Sequence, residues 1–119
     1  MNYFGSFGKD DKQALERLIP VLDQALHAHQ VGDYQAFLSV ITPELAEQIS
    51  EDGFAMAFQE LAPQLGKLES KSFLAALRRQ DNPLLLFAAR FAATGDDVLI
   101  QAMFKNGTEP PLIDSFWIE

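Results

Sequence analysis

The side chains that could do chemistry in this chain are few and scattered. Its two histidines, His27 and His29, stand two residues apart in a stretch of helical periodicity. They therefore point about 200° apart around the helix and cannot share a metal ion. His29 falls on the apolar stripe, which predicts an inward imidazole satisfied by a hydrogen bond. His27 falls on the solvated face. There is no cysteine, which removes disulfides and thiolate chemistry. No Cys/His or carboxylate cluster has metal-ligand spacing, so neither a metal nor a cofactor is expected. Arg90 is the one charge in the middle of an apolar strand and needs a partner. An ion pair on the sheet's outer face, with an acid across a dimer as one form of it, is one reading. An anchor for an anionic ligand is the other. Asp114 and Ser115, polar interruptions near the end of the chain, could supply that partner. Tyr34 and Trp117 suit the core, its rim or a pocket mouth. Asn106-Gly107-Thr108 has the form of a glycosylation sequon but reads better as a tight hairpin. Gly5-Ser6-Phe7-Gly8 lacks nucleophile-elbow spacing, and no glycine-rich phosphate loop follows a strand. No residue is assigned a catalytic role.

The elements that must position these side chains change character at Gly66. Before it, apolar residues recur at helical spacing; after it come four short apolar runs separated by turn signals. Asp10 to Gln13 reads as a capping-box-like start to a long amphipathic helix carrying Leu15, Leu18, Ile19, Leu22, Leu26 and His29 and ending near Gly32. Pro20 inside it predicts a kink or break near 17–19. Asp33 caps a short helix over 34–40. Thr42-Pro43-Glu44 starts the next, and Ser50 caps a fourth that carries Phe54, Ala57, Phe58, Leu61 and Leu65. Strands are expected over 67–80, 84–94, 98–105 and 112–119, with a turn at Asp81-Asn82-Pro83. Helices followed by an antiparallel sheet make an α+β domain, with three to four N-terminal helices packed on one face of four strands. Residues 1–8, rich in Gly and Phe without a period, are expected to form a flexible or loosely docked arm, and 9–119 a single domain.

Alternation along the strands is not clean. In the second strand Leu85, Phe87, Ala89 and Phe91 oppose Leu84, Leu86, Ala88 and Arg90, so both faces are largely apolar. The first strand sets Phe73, Ala75 and Leu77 against Leu74 and Ala76. The last sets Phe116 and Ile118 against Ile113 and Trp117. Helices can cover only one face, and monomers rarely leave a large apolar patch in water. A homodimer through the outer sheet face is the simplest cover. Leu84, Leu86, Arg90 and Ile100 are its candidate interface residues.

Composition sets outer limits. The chain has 119 residues, 48% hydrophobic and 22% charged, which suits one domain. Net charge is −8, and residues 10–60 hold ten of the seventeen acids but only two of the nine Lys and Arg. The helical half is thus an acidic surface that repels phosphate backbones and anionic lipids, so neither nucleic acid nor membrane is an expected partner. A solvated face that aids solubility is the plain reading of this charge; a cation-binding surface is the other. No run reaches the ~18 apolar residues that span a bilayer. The N-terminus has no signal-peptide pattern, so a cytoplasmic location is expected, and a mature exported chain would look the same.

Gly32-Asp33-Tyr34-Gln35-Ala36-Phe37, Thr42-Pro43-Glu44-Leu45, Leu65-Gly66-Lys67-Leu68 and the terminal Phe116-Trp117-Ile118-Glu119, in this element order, resemble the NTF2-like (cystatin-like) superfamily, specifically its small bacterial domains of unknown function. The likeness covers about residues 9–119, and its motifs are caps and junctions. It implies a curved sheet wrapped as a cone around the first helix, a pocket at the open end, and dimerisation through the outer sheet face. Phe87, Ala89, Phe91, Phe73 and Leu77 are the expected inward faces. Enzymes of this superfamily place acids, tyrosines or histidines in the cone, and no such constellation carries over. The leading expectation is a non-catalytic dimeric module with a pocket for a small apolar ligand, lined by His29, Tyr34, Phe87, Phe91 and Trp117. The alternatives are an isomerase- or lyase-like enzyme using His29 with Tyr34 or Asp114, and a protein-interaction module using the acidic helical face.

Overall fold

The computed structural model describes residues 4–119. Four helices precede four strands: α1 (Asp11–Val31), α2 (Tyr34–Leu38), α3 (Pro43–Gln48), α4 (Glu51–Leu65), β1 (Leu68–Arg79), β2 (Asn82–Phe91), β3 (Asp97–Phe104) and β4 (Ile113–Ile118). Each helix begins where a short polar side chain can take an orphan amide. Asp10 accepts from the Gln13 N–H, Asp33 from Ala36, Thr42 from Leu45 and Ser50 from Gly53. The Gln13 side chain reaches back to the Lys9 N–H at 3.0 Å, completing a box shifted by one residue. Gly32, with φ 73°, closes α1 in the left-handed cap. The break expected at Pro20 does not occur, and α1 runs from Asp11 to Val31 without interruption. Pro20 lies on the exposed side, where water can take the Glu16 carbonyl that proline leaves without a donor.

The strands pair antiparallel in chain order, β1-β2-β3-β4. The β1–β2 turn is Gln80-Asp81, both with positive φ, closing the Arg79–Asn82 pair. The expected turn at Asp81-Asn82-Pro83 is thus one residue late, and Pro83 is buried near the start of β2.

Two irregularities correct the expected faces. A register shift between Phe73 and Ala75 pairs Phe73 with Phe87 but Ala75 with Leu86 and Leu77 with Leu84. Leu77 therefore lies on the outer face at 39% exposure, not inward. A second shift near Met103/Phe104 pairs Phe104 with Ile113 and Met103 with Ser115. Ile113 consequently joins Phe116 and Ile118 inside instead of opposing them. In each case one extra residue inverts the alternation beyond it. Ile100 also needs correction as an interface candidate. It pairs with Phe87 beneath the helices and is fully buried, so it has no surface to offer a second copy.

The core lies between α1 and the inner face of the sheet, where Leu18, Leu22, Leu85, Phe87, Ile100 and Phe104 are almost wholly buried. Residues 1–3 of the expected arm fall outside the described residues, and the remainder is docked. Phe4 and Phe7 are buried, Phe7 packs edge-on against Phe104, and the Ser6 hydroxyl accepts from the Gly107 N–H. Two buried aromatic rings supply apolar area enough to hold an arm that has no period of its own. Among the described residues no helix is long and apolar enough to cross a membrane.

Candidate functional site

The site forms where α1 ends, α4 crosses and β4 closes the sheet. The last turn of α1 carries His29 on the inward stripe. Helix α4 is amphipathic but has one well-buried residue, Phe54. Phe54 meets Phe37 at 5.1 Å between ring centroids, Tyr34 at 5.5 Å and His29 at 5.9 Å. Ala57, Leu61 and Leu65 continue the same stripe but stay half-buried, because α4 rests on α1 and α2 and touches the sheet at few points. The gap that remains is a pair of clefts flanking α4.

One cleft, about 380 Å³, is walled by Leu26, Val31, Ala62, Leu65, Phe91 and Ile118, with His27, His29, Gln30 and Lys67 as its polar members. The other, about 420 Å³, is walled by Phe37, Ile49, Phe54, Leu61, Phe116 and Ile118, with His29, Gln48 and Ser50 polar and Trp117 at the rim. Both fall in the size range of small-molecule sites. His29 and Ile118 belong to both walls, so the clefts adjoin at the imidazole.

His29 sits among rings, 5.9 Å from Phe54 and 6.3 Å from Phe116. Burial there lowers its pKa below the ordinary imidazole value, because the charged form loses hydration. The hydrogen bond expected for it is absent among the described residues. The two rings that pack against the imidazole, Phe54 and Phe116, offer it no partner. A neutral imidazole with one donor and one acceptor is therefore presented to the cleft.

The remaining sequence candidates divide. Phe91 lines the first cleft and Trp117, 59% exposed, edges the second. Phe87 does not reach either cleft; it is core, stacked edge-on with Phe73 at 5.6 Å. Tyr34 lines neither, and its hydroxyl donates to the Ile49 carbonyl at 2.8 Å, tying α2 to the end of α3. Asp114 accepts from the Thr42 hydroxyl at 2.6 Å, so it serves the start of α3. The structure thus places His29 in the clefts and commits Tyr34 and Asp114 elsewhere. Leu84, Leu86 and Arg90 lie on the outer face as expected. Arg90 pairs with Asp97 of its own sheet, its register partner, at 3.3 Å. The α4 side of the site was not anticipated. Its stripe is visible in the sequence, but nothing in the pattern says that those residues border a gap instead of filling one.

Other charge pairs are structural. Lys71, on the inner face of β1, reaches Asp23 of α1 at 2.5 Å. Lys105 donates to Glu44 at 2.8 Å, which holds the Glu44 carboxyl below its ordinary range and the Lys105 ammonium above its own. Among the described residues no cluster of three or more His, Cys, Asp or Glu could hold a metal. Comparison with protein-family models, curated proteins and solved structures finds no match to the chain.

Proposed function

We propose that this chain is a non-catalytic binding module of the NTF2-like type that holds a small, largely apolar ligand between α4 and β4 and pairs with itself through the outer sheet face. The observation that carries the ligand role is the pair of adjoining apolar clefts meeting at one neutral, unpartnered imidazole. General acid–base catalysis needs a second positioned group within reach of the reacting atoms. The two polar side chains nearest in prospect, Tyr34 and Asp114, are engaged in holding α3. Four helices followed by an antiparallel sheet in chain order support the NTF2-like reading.

Pairing is supported by the outer face. Leu74, Leu77 and Trp117 are 56%, 39% and 59% exposed, and half-buried Leu84, Leu86, Leu99 and Met103 lie between them. These side chains are spread over all four strands, and cover by a second copy would remove them from water.

A thermal-shift screen of apolar fragments and lipids tests the ligand role. A compound at a hundredfold excess over its Kd adds about 2.7 kcal/mol, which raises Tm by several degrees in a domain of this size. A screen in which nothing raises Tm refutes the role. Light scattering at micromolar concentration tests the dimer, with Leu86→Glu expected to convert it to monomer. A wild-type monomer under those conditions refutes the pairing.

A further inference from the structure

The charge of this chain and the charge of its first cleft have opposite signs. The protein carries seventeen acids against nine Lys and Arg, yet no carboxylate lines either cleft. The first cleft instead gathers both histidines and Lys67. Lys67 takes part in none of the ion pairs among the described residues, which use Arg17, Lys71, Arg90 and Lys105. Nor does His29 have a hydrogen-bond partner among the described residues. Beyond these groups the walls are apolar and lead past His29 into the second cleft, which has no charged lining residue.

Resting on the reading of these clefts as a ligand site, we propose that the ligand is an anionic amphiphile, a carboxylate with a medium-length alkyl chain. Its head lies in the first cleft with Lys67 and the His29 imidazole, and its tail runs past Ile118 under α4 into the second. A carboxylate accepts charge-assisted hydrogen bonds from an ammonium and an imidazolium. His29, neutral in the empty protein, would gain a proton as the anion arrives, because a nearby negative charge favours the charged form. The other titratable groups facing that head are His27 and Lys67, and the apolar walls contributed by α4 and β4 add none. The helix ends on this side do not oppose an anion strongly. The Ala28 carbonyl already accepts from Gly32 and Asp33, and the Ala62 carbonyl from Gly66, which engages part of the negative end of each dipole. A cationic amphiphile would find no carboxylate in either cleft. A neutral one would leave Lys67 and His29 as they stand.

Three probes of equal chain length separate these cases: decanoate, decanol and decylamine, each titrated below its aggregation limit. Trp117, the only tryptophan, edges the second cleft, so its fluorescence reports arrival of the tail, and calorimetry in two buffers reports proton uptake. Decanoate is expected to bind tightest, with proton uptake at pH 7, and decylamine weakest. Lys67 is exposed, so Lys67→Glu keeps the fold. It should weaken decanoate at least tenfold, because it removes one charge-assisted hydrogen bond and sets a second carboxylate beside the head, and change decanol far less. Equal binding of decanoate and decanol, indifferent to Lys67→Glu, overturns the anionic inference and leaves the apolar site standing. Failure of all three probes overturns both.

Discussion

Helix α4 is held to the rest of the protein by Phe54, and truncating that ring is the sharpest test of how the site is built. Phe54 is 4% exposed, the one well-buried side chain of its helix, and it meets three rings from α1 and α2. Removing a buried phenylalanine to alanine costs about 3–5 kcal/mol, the transfer of the ring plus the cavity left behind. Here the vacated space opens into the second cleft, which Phe54 lines. Water can enter it, so the cavity contribution shrinks and the transfer contribution of about 1.5–3 kcal/mol dominates. Phe54→Ala should therefore lower the urea unfolding free energy by about 3 kcal/mol, the low end of that series, with m unchanged. Against a total of roughly 5–15 kcal/mol the variant stays folded at 25 °C. Leu61→Ala on the same stripe, half-buried at the cleft wall, should cost only about 1 kcal/mol by the same area reasoning. A Phe54→Ala loss below about 1 kcal/mol, or equal losses for the two variants, would show that α4 is not anchored at this point.

Three other perturbations follow from particular residues. Burial keeps His29 neutral while the unfolded chain protonates near pH 6.5, so stability falls as pH drops from about 6.5 toward the lowered folded value and then levels off. Urea melts at pH 7.5 and 5.5 should show a smaller fall for His29→Leu than for wild type; an equal fall contradicts the assignment. Gly66 has φ 73° and ψ −155°, and an added Cβ would lie 2.9 Å from the Ala93 nitrogen and Cβ. Gly66→Ala should cost about 3 kcal/mol by denaturant melt, and a loss under about 1 kcal/mol would mean that the α4–β1 junction yields. Arg90→Ala should change stability by less than about 0.5 kcal/mol, because both members of its ion pair are exposed; a larger loss on the same melt would point to a partner beyond Asp97.

What the sequence shows and what it conceals have separate physical sources. Caps were legible because they are local: Asp10, Asp33, Thr42 and Ser50 each bond an amide three residues on. The order of four helices and four strands followed from period and turn signals. The faces of β2 are legible because both register shifts in its pairing with β1 add their extra residue to β1, so the alternation along β2 is unbroken. Leu77 and Ile113 were misplaced because a bulge adds one residue to a strand while leaving its composition unchanged. The docking of Phe4 and Phe7 was missed because it depends on Phe104 and Gly107, about a hundred residues away. The clefts were only half visible for a similar reason. An amphipathic stripe says which side of α4 faces inward, but the distance from that side to β4 is set by Phe54 resting on α1 and α2.

Trp117 joins the two halves of the proposal. It pairs with Gln101 on the outer face of the sheet, and it also edges the second cleft. A second copy packed on the outer face would restrict the indole, and a ligand tail in the cleft would restrict it too. Immobilising such a side chain costs about 0.5–1.5 kcal/mol. Whichever event comes first bears that cost and the other is spared it, so the two are positively coupled even without a change of shape. By linkage the coupling is reciprocal. A ligand should tighten the dimer by up to about tenfold, and the dimer should tighten the ligand by the same factor. Trp117→Ala removes the shared side chain, so dimer affinity measured with and without decanoate should then coincide. Coupling that survives Trp117→Ala would mean that the two faces communicate through the sheet itself. Coupling absent from the wild type would mean that the indole is already fixed before either partner arrives.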